Sequence, residues 1–228
     1  MSLWPIALSW LTGNATLLIA YFLEPRVREP VFGEDRLVET TTALFFLAAC
    51  IIGVAFLVAR GARRDRALLL IASSLGLLGF LDEISFGARL FGWSMPEMPG
   101  GGEFDGAHDI VILTYRLAAE ADPIVIAAIC ASLVLVTTLC VLRWYGRLVS
   151  LTHRMLTEPP YGLFALFVAG VALAAVLDLG VGLLRHLGPI EELVEMNAGL
   201  ALLLAVLWPN RPVRPTAPPS PSPSPHTA

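Results

Sequence analysis

Asp82, Glu83, Asp178, Glu192, Glu195 and His108 are the residues of this chain whose types and placement could do chemistry. Asp82 and Glu83 are adjacent at the end of an apolar run, Asp178 closes another, and Glu192 and Glu195 open a third. His108 stands in GAHD, after the glycine-rich run GGGEFDG. Charges at membrane depth are costly, so ionisable residues there are functional candidates by default. Carboxylates grouped with an imidazole can hold a hard or borderline divalent metal, here through Glu83, His108, Asp178, Glu192 and Glu195, with His186 as the other candidate nitrogen. Desolvated acids can instead relay protons or bind a cation. A structural reading competes with both: the acids pair with Arg89, Arg116 and Arg185 and cap helix ends. No HExxH, CxxC or paired-histidine spacing selects among these, so a divalent metal is the one cofactor the residues suggest, and whether the protein is an enzyme stays open.

The elements that must position these residues are apolar helices. Hydrophobic residues make up 56% of the 228-residue chain and charged residues 15%; the mean hydropathy is +0.73. That composition lies outside the range of a soluble domain and is typical of a polytopic membrane protein. Six segments, at about 4–23, 38–59, 67–91, 122–142, 161–184 and 191–208, reach the ~20-residue length a bilayer core requires. The first is the weakest, with Thr12, Gly13, Asn14 and Thr16 near its middle; lacking a positive n-region, it is expected to be retained rather than cleaved. The third is odd, because its uncharged part, 67–81, is too short to cross and must borrow the following ISFGARLFGW to finish.

The arginines set the expected orientation. They cluster in RGARRDR (60–66), in the 143–160 loop at Arg143, Arg147 and Arg154, and in the tail at Arg211 and Arg214. If six spans alternate, these fall on one side, which is then cytoplasmic together with both termini. Of the 19 acids only Asp65 and Glu158 share that side. Trp93, Trp144, Tyr145 and Trp208 fall near the expected interfaces. Asp122-Pro123 and Pro159-Pro160 are helix-start signals. Cys50, Cys130 and Cys140 sit inside apolar runs and read as small buried hydrophobes. Residues 209–228 form a Pro/Ser-rich tail expected to be disordered. No internal repeat points to a secondary transporter.

Depth and helical phase bring the acids together. At 1.5 Å per residue Asp82 stands ~22 Å above Ala67, Asp178 ~25 Å above Tyr161, and Glu195 and Glu192 ~20 and ~24 Å above Trp208. In a core ~30 Å thick, acids on three helices then share one outer-leaflet layer. Small residues mark close helix approaches in membranes. Ala72, Gly76 and Gly79 share a stripe with Glu83, Gly170 and Ala174 with Asp178, and Gly199 with Glu192 and Glu195. Those acids are expected to be buried carboxylates facing the bundle. Asp82 lies about 100° from Glu83 on a helix and shares a face with Arg89, two turns on, a candidate internal neutraliser.

The run Asp82-Glu83-Ile84-Ser85-Phe86-Gly87, then Arg89-Leu90-Phe91-Gly92-Trp93, Pro96-Glu97 and His108-Asp109 resembles a family of uncharacterised bacterial multi-pass membrane proteins. Their pattern is E-E-I-S-W-G-Q-R, then T-P-E, then L-H-N. The likeness extends to Gly33-Glu34-Asp35 and Val38-Glu39, and to the acid-rich start of the sixth span, covering most of 33–208. It departs at Asp82 for Glu, Phe86 for Trp, Ala88 for Gln and GAHD for NLHN, while keeping the acid pair, Arg89 and His108. The resemblance implies a bacterial cytoplasmic-membrane protein and adds Glu39 to the candidate residues; no activity attaches to it.

The expectation is therefore an all-α bundle of six transmembrane helices with an outer loop folded over an acidic pocket. That pocket would bind or pass a cation, proton or small polar solute. The alternatives are a metal-dependent membrane enzyme acting on a lipid or lipid-linked substrate, and a structural subunit of a membrane complex. The expected partners are the lipid bilayer and either a second copy or a complex subunit, not nucleic acid.

Overall fold

A computed structural model describes residues 4–32, 36–60, 66–99, 101, 104, 106, 109–120, 122–178 and 188–208. The described elements are helices: α1 (Trp4–Leu23), α2 (Pro25–Phe32), α3 (Leu37–Arg60), α4 (Arg66–Glu83), a 3-10 turn (Ser85–Gly87), α5 (Ala88–Phe91), α6 (Asp109–Glu120), α7 (Pro123–Thr157), α8 (Pro159–Asp178) and α9 (Gly188–Leu207). Among the described residues there is no strand. Among the described residues three helices are long and apolar enough to cross a membrane, lying within Pro30–Ala59, Pro123–Thr157 and Pro159–Leu177. α4 and α9 fall short of the same standard because each carries charges within its length, Arg66, Asp82 and Glu83 in one and Glu191, Glu192 and Glu195 in the other. The tail, 209–228, and the segments 61–65 and 179–187 lie outside the described residues.

The core is built by α3, α4, α8 and α9, with α3 and α9 at its centre. Phe46 and Ala49 of α3, Leu69 and Ala72 of α4, Phe167 of α8, and Ala198, Ala201, Leu202 and Val206 of α9 form one buried cluster. Glycine sets the spacing. A Cβ on Gly76 would stand 2.8 Å from the Phe46 carbonyl oxygen and 3.0 Å from the Cys50 nitrogen, so the α3 and α4 backbones touch there. Without a hydrophobic drive between helices in lipid, such close packing is a main source of cohesion. Gly79 faces Phe46, Gly76 faces Cys50 and Gly53 faces Ser73, so α3 and α4 run antiparallel. Gly199 faces Thr42 and Phe45, and Val206 faces Gly53, so α9 runs parallel to α3.

α1 joins this core through a polar clasp. The Asn14 side-chain amide donates to Asn197 Oδ1 at 3.3 Å and the Asn197 amide donates to Asn14 Oδ1 at 2.9 Å. Asn197 also donates to the Leu193 carbonyl within α9. Below the clasp, Val38, Leu193 and Met196 are buried against Leu17, Leu18, Val31 and Phe32. Interhelical polar pairs in membranes are worth about 0.6 kcal/mol on average and up to ~1.7 kcal/mol. Asn14→Leu and Asn197→Leu should therefore show a coupling of that size in a double-mutant cycle read from thermal unfolding in micelles. A coupling of zero would mean that the amides do not hold α1.

α7 stands apart, with none of its 35 residues buried. Asp122 caps it, accepting from the Ile124 backbone N–H at 2.7 Å, with Pro123 in the first turn as the sequence signals. It runs on to Thr157 through the segment expected to be a loop from residue 143, because no helix breaker intervenes before Pro159-Pro160. At the α7–α8 corner Arg154 donates Nε and Nη2 to the two Glu158 oxygens at 3.0 and 3.2 Å, and its guanidinium lies 3.8 Å from the centre of the Tyr161 ring.

Candidate functional site

The site begins where α4 stops. Ser85 (φ 48°), Phe86 (φ 50°) and Gly87 (φ 96°) all adopt left-handed conformations directly after Asp82-Glu83-Ile84. Left-handed backbone in non-glycine residues costs roughly 1–3 kcal/mol per residue and persists only where the surroundings hold it. Here Ser85 is buried, the Ile84 N–H still reaches the Phe80 carbonyl at 3.2 Å, and the Gly87 N–H donates to Ile84 O at 2.9 Å. α5 then follows for one turn and ends at Gly92 (φ 67°), whose N–H donates to Ala88 O at 2.7 Å.

This corner corrects one expectation. The third apolar segment does not continue as a helix through residue 91; the helix ends at Glu83 and the chain turns. The expected Asp82–Arg89 contact rested on an unbroken helix, and the helix ends at Glu83. The Arg89 side chain itself lies outside the described residues.

The helix directions then assemble the acids. Glu39 is in the first turn of α3, Glu192 and Glu195 are near the start of α9, and Asp82 and Glu83 end α4. With α3 and α9 parallel and α4 antiparallel to them, all these residues lie at one end of the core. The Glu83 carboxylate is within electrostatic range of those of Glu195, Glu39, Glu192 and Asp82. Glu39, Asp82, Glu83, Glu192 and Glu195 are half-buried, and among the described residues no carboxylate is buried. The expectation of buried carboxylates is corrected accordingly, because helix ends keep their side chains partly open even where the helix bodies touch.

The helix ends give these acids unequal electrostatics. A helix carries partial positive charge at its N-terminus and partial negative charge at its C-terminus. Glu39 sits in the first turn of α3, at an N-terminal end that favours an anion. Asp82 and Glu83 sit where the α4 carbonyls already concentrate negative charge. Their placement therefore favours a cation, a proton or a donor group beside them.

The remaining candidates fall largely outside the described residues. Asp178 is the last residue of α8, with its side chain outside the described residues, as are all atoms of His108, His186 and Arg185. Arg116, expected to be a partner for the acids, donates Nη1 to the backbone carbonyls of Pro99 at 3.1 Å and Gly101 at 2.7 Å. It ties α6 to a turn closed by Gly101 N–H to Met98 O at 3.0 Å and Phe104 N–H to Pro96 O at 2.8 Å. Among the described residues, no three His, Cys, Asp or Glu side chains are grouped to hold a metal ion. The left-handed corner was missed by sequence reasoning; the glycine of SFG was the available signal.

Gly87 can be tested directly. A Cβ there would meet the Phe91 ring at 3.2 Å, and its positive φ resists any L side chain. Gly87→Ala is expected to destabilise the protein by about 1–2 kcal/mol, the cost of left-handed backbone for an L residue. Thermal unfolding in micelles reads the effect; an unchanged midpoint would mean that the corner relaxes freely.

Comparison with protein-family models, curated proteins and solved structures finds no match to this chain.

Proposed function

We propose that this is a bacterial cytoplasmic-membrane protein of six crossing helices, with both termini on the cytoplasmic side, whose cluster of Glu39, Asp82, Glu83, Glu192 and Glu195 binds or passes a cation or proton. The observation that carries the reading is the position of Glu83, at the carbonyl-bearing end of α4 and amid like charges from α3 and α9. Carbonyls at interrupted helix ends, combined with carboxylates, are how membrane proteins coordinate Na⁺ and H⁺ at depth. The arginine asymmetry supports the orientation.

The test is ion response. Protein in micelles should gain thermal stability with Na⁺ or K⁺ over choline at equal ionic strength, or on a change of pH. In proteoliposomes a pH or cation gradient should drive flux sensitive to membrane potential. A flat response to every ion and to pH would sink the proposal.

A further inference from the structure

The left-handed corner has a second consequence, on its outer surface. Beyond it Phe86, Leu90, Phe91 and Trp93 are exposed, by 41%, 65%, 66% and 61% respectively. Phe91 and Trp93 stack at 5.0 Å between ring centres with an interplanar angle of 21°. The stack lies over Gly87, whose missing side chain leaves room for the Phe91 ring. Ser85, Gly87 and Ala88 of the same short segment are buried, so it is two-sided. A group of large apolar side chains held outward in this way is a contact surface, not a scatter of surface residues.

α4 indicates what the surface contacts. Leu70, Ile71, Leu77 and Leu78 form an exposed apolar stripe on it, opposite the buried Leu69, Ala72, Ser73 and Gly76. In a membrane that stripe faces lipid, and the aromatic group continues the same chain by one corner. The uncharged part of α4, 67–81, spans only ~22 Å of a core ~30 Å thick. The helix therefore stops short of the far boundary, and the missing depth must be made up by a segment lying along it. Tryptophan and stacked aromatics collect at headgroup level, where an apolar body and an indole N–H are both satisfied.

We propose that Phe86, Leu90, Phe91 and Trp93 form an interfacial anchor, seated in the headgroup–acyl boundary of the leaflet where α4 ends and turned outward by the Ser85–Gly87 corner. The anchor fixes the depth of the corner, and with it that of Asp82 and Glu83, just inside the boundary of that leaflet. It rests on the membrane embedding proposed above but not on cation binding.

Full-length protein is reconstituted in phosphatidylcholine vesicles whose acyl chains carry bromine near the headgroup, and in unbrominated vesicles. Emission of the native protein minus that of Trp93→Phe isolates Trp93, and the same subtraction with Trp144→Phe isolates a tryptophan of α7. Each replacement is conservative and leaves the other tryptophans in place. The expected result is that Trp93 loses most of its emission in brominated vesicles and resists aqueous iodide. Quenching of Trp144 but not Trp93 by bromine overturns the anchor while leaving the embedding intact. In that case iodide quenching shows a water-exposed loop, and no quenching by either shows that protein covers the patch. Failure of both tryptophans to respond to bromine overturns the embedding and the anchor together.

Discussion

Glu83→Gln is expected to abolish the stabilisation that a bound cation confers, while raising the stability of the ion-free protein. The two signs separate a binding role from a structural one. Glutamine keeps the shape of the side chain and removes one negative charge from a group that includes Glu195, Glu39, Glu192 and Asp82. It also removes that charge from the C-terminal end of α4, where the helix dipole opposes it. Relief of like-charge repulsion stabilises the empty protein, and loss of a ligand removes the ion response. At a cation concentration 100-fold above the dissociation constant the native protein gains about 2.7 kcal/mol from binding, and this gain should vanish. Glu39→Gln should weaken the ion response without raising the ion-free stability as much, because that carboxylate sits in the first turn of α3, where the helix dipole favours it. Thermal unfolding in micelles, with and without the stabilising ion, measures both. If Glu83→Gln instead lowers stability equally in every ion, Glu83 serves packing and pairing, and the binding proposal fails.

Gly76→Leu is expected to disrupt the bundle more than Gly87→Ala or either asparagine replacement. The nearest atoms to a Cβ at this position are backbone, the Phe46 oxygen at 2.8 Å and the Cys50 nitrogen at 3.0 Å. A flexible side chain could turn aside, but a helix backbone cannot, so α3 and α4 must separate. Separation opens the contacts of Ala49 and Ala72, both fully buried. Overpacking of this kind costs about 1–3 kcal/mol, and more where backbone must move. Gly13→Ala is the control, since a Cβ there meets nothing within 4 Å. Gly76→Leu should lower the unfolding midpoint or prevent recovery of folded protein, and Gly13→Ala should leave it unchanged or raised. Equal behaviour of the two would show that the close approach of α3 and α4 contributes nothing.

Much of the architecture was legible because hydrophobicity and side-chain size are written locally. Long apolar runs in a lipid-compatible composition require helices, since no other open structure satisfies its own backbone polar groups. The small residues Ala72, Gly76 and Gly199 were legible as contact points for the same reason, and they are buried between helices. Asp122-Pro123 was legible as a helix start because capping involves only neighbours in sequence. The end of α7 was not, because the positive-inside pattern marks a membrane boundary, and a helix can continue past one.

The candidate site was legible in its residue types and only partly in its geometry. Glu83, Glu192 and Glu195 were aligned by depth and phase alone, and Glu39 came in only through the resemblance. That Glu39 stands near Glu83 follows from α3 and α9 running parallel while α4 opposes them. The sequence alone determined that this is a helical, membrane-compatible chain and that its acids gather at helix ends, because apolar length and charge position are properties of the one-dimensional string. Only the tertiary structure decided that α4 stops at Glu83 and turns through Ser85, Phe86 and Gly87. Two non-glycine residues in left-handed backbone contradict local preference, and only packing from distant parts of the chain can hold them there.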